Sequence, residues 1–421
     1  MNGKHILTMM HASELLQARA IDEIMQRLAP DFDDLPAFPK VTAKVSAQAI
    51  NRTWNHFPHD PAVRRALLDA SEDTQAYEGN IENMIGLIKI PLGVAGPLRV
   101  RGLAAYGDYA VPLATSEAAL VASYHRGCRV INESGGCTTL ILSECVTRSP
   151  AFIFATATQS ARFVLWVLEN FSVVKGIAES TTAHGRLTDI GCIVEGNHAY
   201  LNLEYTTGDA AGQNMVTIAT QAVCDWVGEH CPLKPEKIYV EGNASGDKKA
   251  SAKSFMHVRG KKVSAEVLVP GLVLKQRLHV TAKEMEQYWR VSAIGGVLSG
   301  TIGVHGHFAN GLAALYLATG QDVACVAESA VGVTRFEARD DGSLYATVTL
   351  PSIIAGTVGG GTSMPTAAAC LDLMGLRGAG KARAFAEVCA ALLLGGELSI
   401  IAAMAAGHFS RAHKKLARKK P

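Results

Sequence analysis

The chain has 421 residues, 48% of them hydrophobic and 19% charged, with a formal net charge of +2. That length predicts two or three packed units, and the composition excludes a disordered chain. The small net charge gives no drive toward nucleic acid or an acidic membrane, and nine scattered cysteines without a CxxC pair argue against a zinc site or secreted disulfide framework and for a reducing cytosol.

The first residues, MNGKHILTMMHASE, contain too short an apolar run for a signal peptide. Residues 11–29 show a helical period after a Ser13 cap, within a more polar N-terminal region. The glycine- and proline-punctuated ENMIGLIKIPLGVAGPLRV excludes a long helix. TSEAALVASYHRGCRVI then predicts a helix capped by Thr115 or Ser116, with Glu117 in its first turn and Leu120, Tyr124 and Cys128 on one face.

Residues 151–241 parse as a strand (AFIFATA), a helix (SARFVLWVLENF), two strands (TDIGCIV and AYLNLEY) joined across Glu195-Gly196-Asn197-His198, a second helix and a closing strand (KIYVEG). The second helix, GQNMVTIATQAVCDWVGEHC, is apolar at Met215, Ile218, Ala219, Ala222, Val223 and Trp226. The order β-α-β-β-α-β is that of a ferredoxin-like unit, here inserted into a larger α/β body. Beyond 250 come the strand VSAEVLVP, a hairpin turning at Asp341-Gly342, and Ala/Gly-rich helices near 308–319 and 381–405. The apolar segment from Ala390 to Gly407 carries Glu397 mid-span and lacks flanking aromatics, which predicts a buried core helix in a soluble protein.

Several short stretches carry possible chemistry. EGNASGDKKASAKSF (241–255) sets Asp247, Lys248 and Lys249 in a loop of small residues. On a solvated surface such a triplet contributes little; inside a cleft it is a positive, pKa-tuned site. TTGDAAGQNMV (206–216) puts two glycines and an aspartate before a helix, a candidate anion site that also reads as an ordinary glycine-rich helix start, and its spacing is not GxGxxG. GTVGGGT (356–362) discards side-chain packing at three successive glycines, which suits either close approach of a ligand or a flexible turn. Asp322 in ATGQDVACVAES reads as a cap, and His408 and His413 in AAGHFSRAHKKLARKK, five residues apart, fall on different helix faces of a basic tail. No GxSxG elbow is present.

ENMIGLIKIPLGVAGPL, TSEAALVASYHRGCR, TTGDAAGQNM, GDKKASAKSF, GQD, GTVGGGT and AAGHFSRAH stand in the order and at roughly the spacings of hydroxymethylglutaryl-CoA reductases. The resemblance runs from about residue 80 to 415 and is closest to the catalytic part of the eukaryotic and archaeal type. It implies a mixed α+β or α/β fold: a helical N-terminal region (1–79), a large substrate domain (80–149 and 250–421), an inserted ferredoxin-like NADP-binding domain (150–241) and a substrate-covering loop (242–249). It implies reduction of 3-hydroxy-3-methylglutaryl-CoA to mevalonate and free CoA by two NADPH, with no metal. Glu117, Lys248, Asp322 and His413 match the family's catalytic positions. Arg126 matches a CoA phosphate contact, Arg148 with Lys249 matches contacts to the substrate's carboxylate, Asp247 matches a substrate-binding position, and Asn310 matches an active-site asparagine. Asp209, Gly212, Asn214, Met215, Gln321, Val358 and Gly359 match cofactor contacts, and Arg162 is the candidate for the 2′-phosphate. The resemblance further implies a cytoplasmic homodimer, at least, with a shared active site and neither nucleic acid nor membrane as partner.

Two positions depart from the family pattern. Glu241 stands where a serine is usual, and Ser292 where a lysine is usual, with Arg290 nearby. Both changes weaken binding of an acyl carboxylate, by about 1–3 kcal/mol, and keep open a paralogue acting on another thioester or a non-catalytic relative that binds CoA or nucleotide.

Overall fold

The computed structural model describes residues 21–38, 47–56, 60–68, 74–77, 80–81, 88–256 and 259–407. Ser13, residues 82–87 of the glycine- and proline-punctuated segment, and the tail with His408 and His413 lie outside the described residues. The N-terminal helices that are described are Ile21–Leu28, Ala47–His56 and Pro61–Leu68.

Among the described residues, eleven strands form one connected sheet. They are β1 (Leu92–Gly102), β2 (Tyr106–Ala114), β3 (Cys137–Arg148), β4 (Ala151–Ile153), β5 (Arg186–Glu195), β6 (His198–Thr206), β7 (Lys237–Tyr239), β8 (Gly260–Val269), β9 (Gly303–Val304), β10 (Gly332–Ala338) and β11 (Leu344–Ile353). The strand β3 joins two halves. Its first residues run parallel to β1 and its middle pairs antiparallel with β8, while Val146–Arg148 pair with β6. Beyond β3 the order β7-β4-β6-β5 is antiparallel throughout, the arrangement of a ferredoxin-like sheet. On the other side the order β8-β11-β10-β9 builds the larger mixed sheet.

Each half has its own core. Phe152, Phe154, Phe163, Val167, Leu201 and Val223 fill the smaller one. In the larger, the Ala382–Ala405 helix is buried along almost its whole length against the Leu120–Glu133 helix and strands β1, β3, β8 and β11. The predicted buried core helix is therefore the axis of the domain. Its two buried carboxylates are both bonded. Glu387 accepts from Ala104 N and Ala105 N, while Glu397 accepts from Gly306 N, His307 N and Thr334 Oγ1. Burial pushes the Glu387 carboxyl up to about 7 even with those backbone donors.

Three local expectations are corrected. Glu117 does not lie in a first helical turn: Ala119 takes a left-handed φ of 73° and the helix begins only at Leu120. That conformation breaks the helix and leaves Glu117 on a preceding turn, although Leu120, Tyr124 and Cys128 form the buried face as expected. The first helix of the smaller unit, Ala157–Glu169, stops at Asn170, and a second, Phe171–Ser180, follows at once. In the Gln213–His230 helix the buried side chains are Val216, Ala219, Thr220, Val223, Cys224 and Val227, whereas Ile218 is 60% exposed.

The two central helices of the large domain cross at glycine. A Cβ on Gly127 meets Gly395 O at 1.8 Å, and Tyr124 fills the space that side chains on Gly311 and Gly396 otherwise occupy. Gly127→Ala is expected to cost about 1–3 kcal/mol through forced separation of the helices. Gly176→Ala, in an exposed helix with open space around its Cβ, is expected to add about 0.5–1 kcal/mol. Chemical denaturation of the two variants should give shifts of opposite sign.

Candidate active site

The loop after β7 begins with a backbone bond from Gly242 N to Ser149 O, which carries the β4–β7 pairing past the strands. It ends at the short Lys253–Met256 helix, where Lys253 Nζ reaches back to Asn202 Oδ1 and Ala244 O. Between these anchors Asp247 lies between two buried guanidiniums. Arg148 Nη1 donates to Asp247 Oδ2 at 3.0 Å and Arg259 Nη2 to Asp247 Oδ1 at 2.7 Å. Arg259 also holds Glu328 and Gln213. Burial pushes the Glu328 carboxyl up, with Arg259 opposing.

Lys248 follows Asp247 with φ 56°, a left-handed conformation that costs an ordinary residue about 1–2 kcal/mol. Its amide donates to Glu328 Oε1 at 3.2 Å. The backbone is thus pinned on both sides of the strained residue, and the side chain points at Asp322. Lys248 Nζ stands 2.7 Å from Asp322 Oδ2. Asp322 Oδ1 at the same time accepts from Ala324 N, so the expected capping role and the lysine contact share one carboxylate. The hydrogen bond that Lys248 donates to Asp322 is the largest cause raising its pKa, against partial desolvation. Both side chains remain about two-fifths exposed, 42% and 43%, so the pair is open to a ligand.

A cleft of about 530 Å³ is lined by Thr115, Ser116, Glu117, Asn310 and Val326 among others. Val326 directly follows the Val323–Cys325 turn that Asp322 caps, so the cleft that holds Glu117 is walled in part by the segment that begins at Asp322. Glu117 is exposed, with its amide bonded to Thr115 Oγ1. Asn310 Nδ2 faces His307 Nδ1 at 3.5 Å. The cleft thus holds a carboxylate and an amide, and the Lys248 ammonium is held separately by Asp322; groups of these three kinds can stabilise and protonate a developing oxyanion.

The two glycine motifs also meet. Gly356 packs so closely on the 206–216 loop that a Cβ there falls 2.5 Å from Ala211 N, and Thr357 N donates to Asp209 O at 2.9 Å. Gln321 fixes this contact through both its amide atoms to Gly356. Gly359 and Gly360, at φ 73° and 53°, have open space where side chains would stand. The Gln213–His230 helix starts from Gly212 in the left-handed region with no side-chain cap, next to Asn214 and Met215. These features leave backbone donors free for a phosphate. Asp209 is committed elsewhere: its carboxylate accepts from Gly380 N and Ala382 N at the start of the long helix. Val358 is half-buried in the same loop, and Arg162 is exposed on the Ala157–Glu169 helix.

Two other expected contacts point inward. Arg126 donates to Ser399 Oγ and Ser399 O, and burial lowers its pKa. Arg148 is spent on Asp247, Glu241 and Gln213 O. Lys249 Nζ bonds Asp247 O on the exposed side of the loop. Arg290 pairs with Glu286 one turn away on the Ala282–Ser299 helix, where Ser292 is half-buried. Arg259, Glu328 and Gln213 were missed from sequence. The signal for the first two was an isolated charge within an otherwise small or apolar run, HVRG and VAESAV.

Fold and site together define an α+β enzyme with a lysine–carboxylate pair and a cleft that holds Glu117 and Asn310. Residues 52–418 match the family model described as hydroxymethylglutaryl-coenzyme A reductase. The chain is 45% identical over 350 residues to the 3-hydroxy-3-methylglutaryl-coenzyme A reductase of Methanothermobacter thermautotrophicus, covering 82% of this chain and 86% of that one. It is 43% identical over 355 residues to that of Methanocaldococcus jannaschii, covering 82% and 87%. A solved class II reductase from Streptococcus pneumoniae, bound to NADPH in open conformations, shares the fold with a TM-score of 0.67 at 18% identity, over 86% of this chain and 98% of that one. The chain belongs to the hydroxymethylglutaryl-coenzyme A reductase family.

Asp322→Asn keeps the cap on Ala324 but removes the charge that holds the Lys248 ammonium. The Lys248 amine should then lose its proton at lower pH. Acetylation of Lys248 by an amine-reactive anhydride, followed by peptide mass spectrometry, is expected to set in at lower pH in the variant than in the wild type.

Proposed function

We propose that the chain reduces 3-hydroxy-3-methylglutaryl-CoA to mevalonate and free CoA, and the observation that carries this reading is the 2.7 Å contact of Lys248 Nζ with Asp322 Oδ2. NADPH, the nucleotide bound to the Streptococcus pneumoniae relative, supplies the two hydrides that take a thioester to an alcohol. The free N–H groups before the Gln213 helix and the open glycines 359 and 360 are suited to its phosphates, with Arg162 for the 2′-phosphate and Asn214, Met215, Gln321 and Val358 around it.

Each reduction step puts negative charge on the former carbonyl oxygen. Lys248, kept protonated by Asp322, stabilises that charge at both steps; the first oxyanion re-forms the carbonyl as it expels CoA thiolate, and after the second hydride Glu117 delivers the proton that makes the alcohol. Asn310 holds the substrate against the cleft wall. His413, outside the described residues, protonates the departing CoA thiolate. Asp247, Arg148 and Lys249 shape the acyl end, Arg126 serves the CoA end, and Asp209 with Gly212 sets the cofactor loop. Residues 80–149 and 250–421 act as the substrate body, 150–241 as the cofactor unit, 242–249 as the covering loop and 1–79 as the N-terminal region. Among the described residues no cluster of three His, Cys, Asp or Glu could hold a metal ion.

We also propose a cytosolic homodimer with a shared site. Val291, Ile294, Val297 and Leu298 on the Ala282–Ser299 helix are between 63% and 82% exposed, an apolar face suited to a second copy. All nine cysteines are free, in keeping with a reducing compartment.

A second reading, a paralogue for another acyl thioester, has one observation in its favour: Arg148 already faces two carboxylates. Loss of NADPH absorbance with 3-hydroxy-3-methylglutaryl-CoA tests the first reading; the wild type should turn over, and Lys248→Ala should lower kcat by about 10²–10³-fold or more. Oxidation of NADPH only with other CoA esters supports the second. Leu298→Glu should shift the protein to smaller species in sedimentation velocity and reduce activity with it.

A further inference from the structure

Glu241 is held beside Arg148 by the backbone rather than by its own bonds. Gly242 N donates to Ser149 O at 2.6 Å, extending the strand pairing, and this fixes the Glu241 side chain over the Arg148 head group. The carboxylate's own contacts are long: Arg148 Nη1 at 3.4 Å and Ser149 N at 3.3 Å, both to Oε2. Its second oxygen, Oε1, is buried without a partner, as is Nε of Arg148. Well-made charge-assisted bonds run about 2.7–2.9 Å, so this contact is a weak one. Asp247 meets the same guanidinium at 3.0 Å. Arg148 therefore faces Glu241 as well as Asp247, which Arg259 also neutralises, so Glu241 lowers the attraction that Arg148 offers to a further anion.

We propose that Glu241 is a specificity-determining residue that competes with the substrate's distal carboxylate for Arg148. The inference rests on the reading that Arg148 lies at the acyl end of the site. An incoming carboxylate must displace Glu241 or lie beside it, and either raises the free energy of binding for acyl groups that end in a charge. Acyl groups without that charge escape the penalty. The loosely held Glu241 can yield, so it weakens the charged ester instead of excluding it. Asp247, gripped by Arg259 as well, stays in place as the structural partner.

Calorimetric binding separates this from catalysis. The probes are 3-hydroxy-3-methylglutaryl-CoA and 3-hydroxy-3-methylbutyryl-CoA, which has the same branch and hydroxyl but no distal carboxylate. Glu241→Gln, and Glu241→Ser in case the first variant folds poorly, should each bind the carboxylate-bearing ester about tenfold more tightly than wild type. Affinity for the uncharged ester should stay within about twofold. Equal tightening of both esters, no change, weaker binding of the charged ester, or binding of it to neither wild type nor variants overturns the proposal. Failure of the reductase reading appears separately, as wild-type protein that binds the ester and never oxidises NADPH.

Discussion

Asp247 is the residue on which the site's geometry depends. A carboxylate bonded on each oxygen to a separate buried guanidinium cannot rotate without stranding a charge, and stranding a buried charge costs about 3–5 kcal/mol. One of those guanidiniums comes from the end of β3 and the other from the start of β8, so the loop is tied to both neighbouring strands of the sheet. Glu328 completes the frame from the opposite side by taking the Lys248 amide and the second edge of Arg259. A left-handed lysine, which the loop alone would relax away, is held where its ammonium meets Asp322. The strain is local, and its restraint is spread over three elements.

The same economy appears at the 206–216 loop. Asp209 spends its carboxylate on the amides of Gly380 and Ala382, and its carbonyl on Thr357 N, so one residue ties the 206–216 loop both to the long helix and to the glycine loop. Gly356 must be glycine for that contact, since Ala211 N lies where a Cβ would be. Gly359 and Gly360 have a different reason for being glycine: nothing fills the space beyond them. One triplet motif thus combines a packing glycine with open ones, which explains why composition alone left close approach and flexible turn undecided.

How far the sequence could be read followed from the range of the interactions involved. The β-α-β-β-α-β order, the hairpin at Gly196 and the apolar Ala382–Ala405 helix follow from periodicity and turn chemistry within a few neighbouring residues, and all are present, with the first helix of the unit divided in two at Asn170. The helix start at Glu117 was misread because Ala119 adopts a left-handed conformation that an alanine does not announce. The solvent-facing Ile218 was misread because burial on that helix is set by the underlying sheet, not by residue type. Lys248 and Asp322 are linked in the resemblance, but Arg259 and Glu328, which orient the loop, lie eleven and eighty residues from Lys248 with no local pattern to connect them. Arg148 and Arg126 match anion contacts through the resemblance alone, and the bonds each makes within the protein join partners far apart in the chain, which no local pattern announces.

The long helix converts these separate anchors into one framework. Asp209 grips its first residue, and fifteen residues on, about 22 Å at 1.5 Å per residue, Glu397 grips the Gly306 and His307 amides that open the Asn310 helix. Between them Glu387 holds the β1–β2 turn. A rod buried on all sides and crossed at Gly127 has little freedom to slide, because displacement by even a methyl group disturbs close packing. The 206–216 loop and the cleft with Glu117 and Asn310 are therefore both anchored to the core itself. Two hydride deliveries to one carbon each depend on donor and acceptor being held in position, which a rigid framework favours. The buried carboxylates keep apolar loops in register with the helix, and this is the reason an otherwise membrane-like segment retains acids that burial penalises.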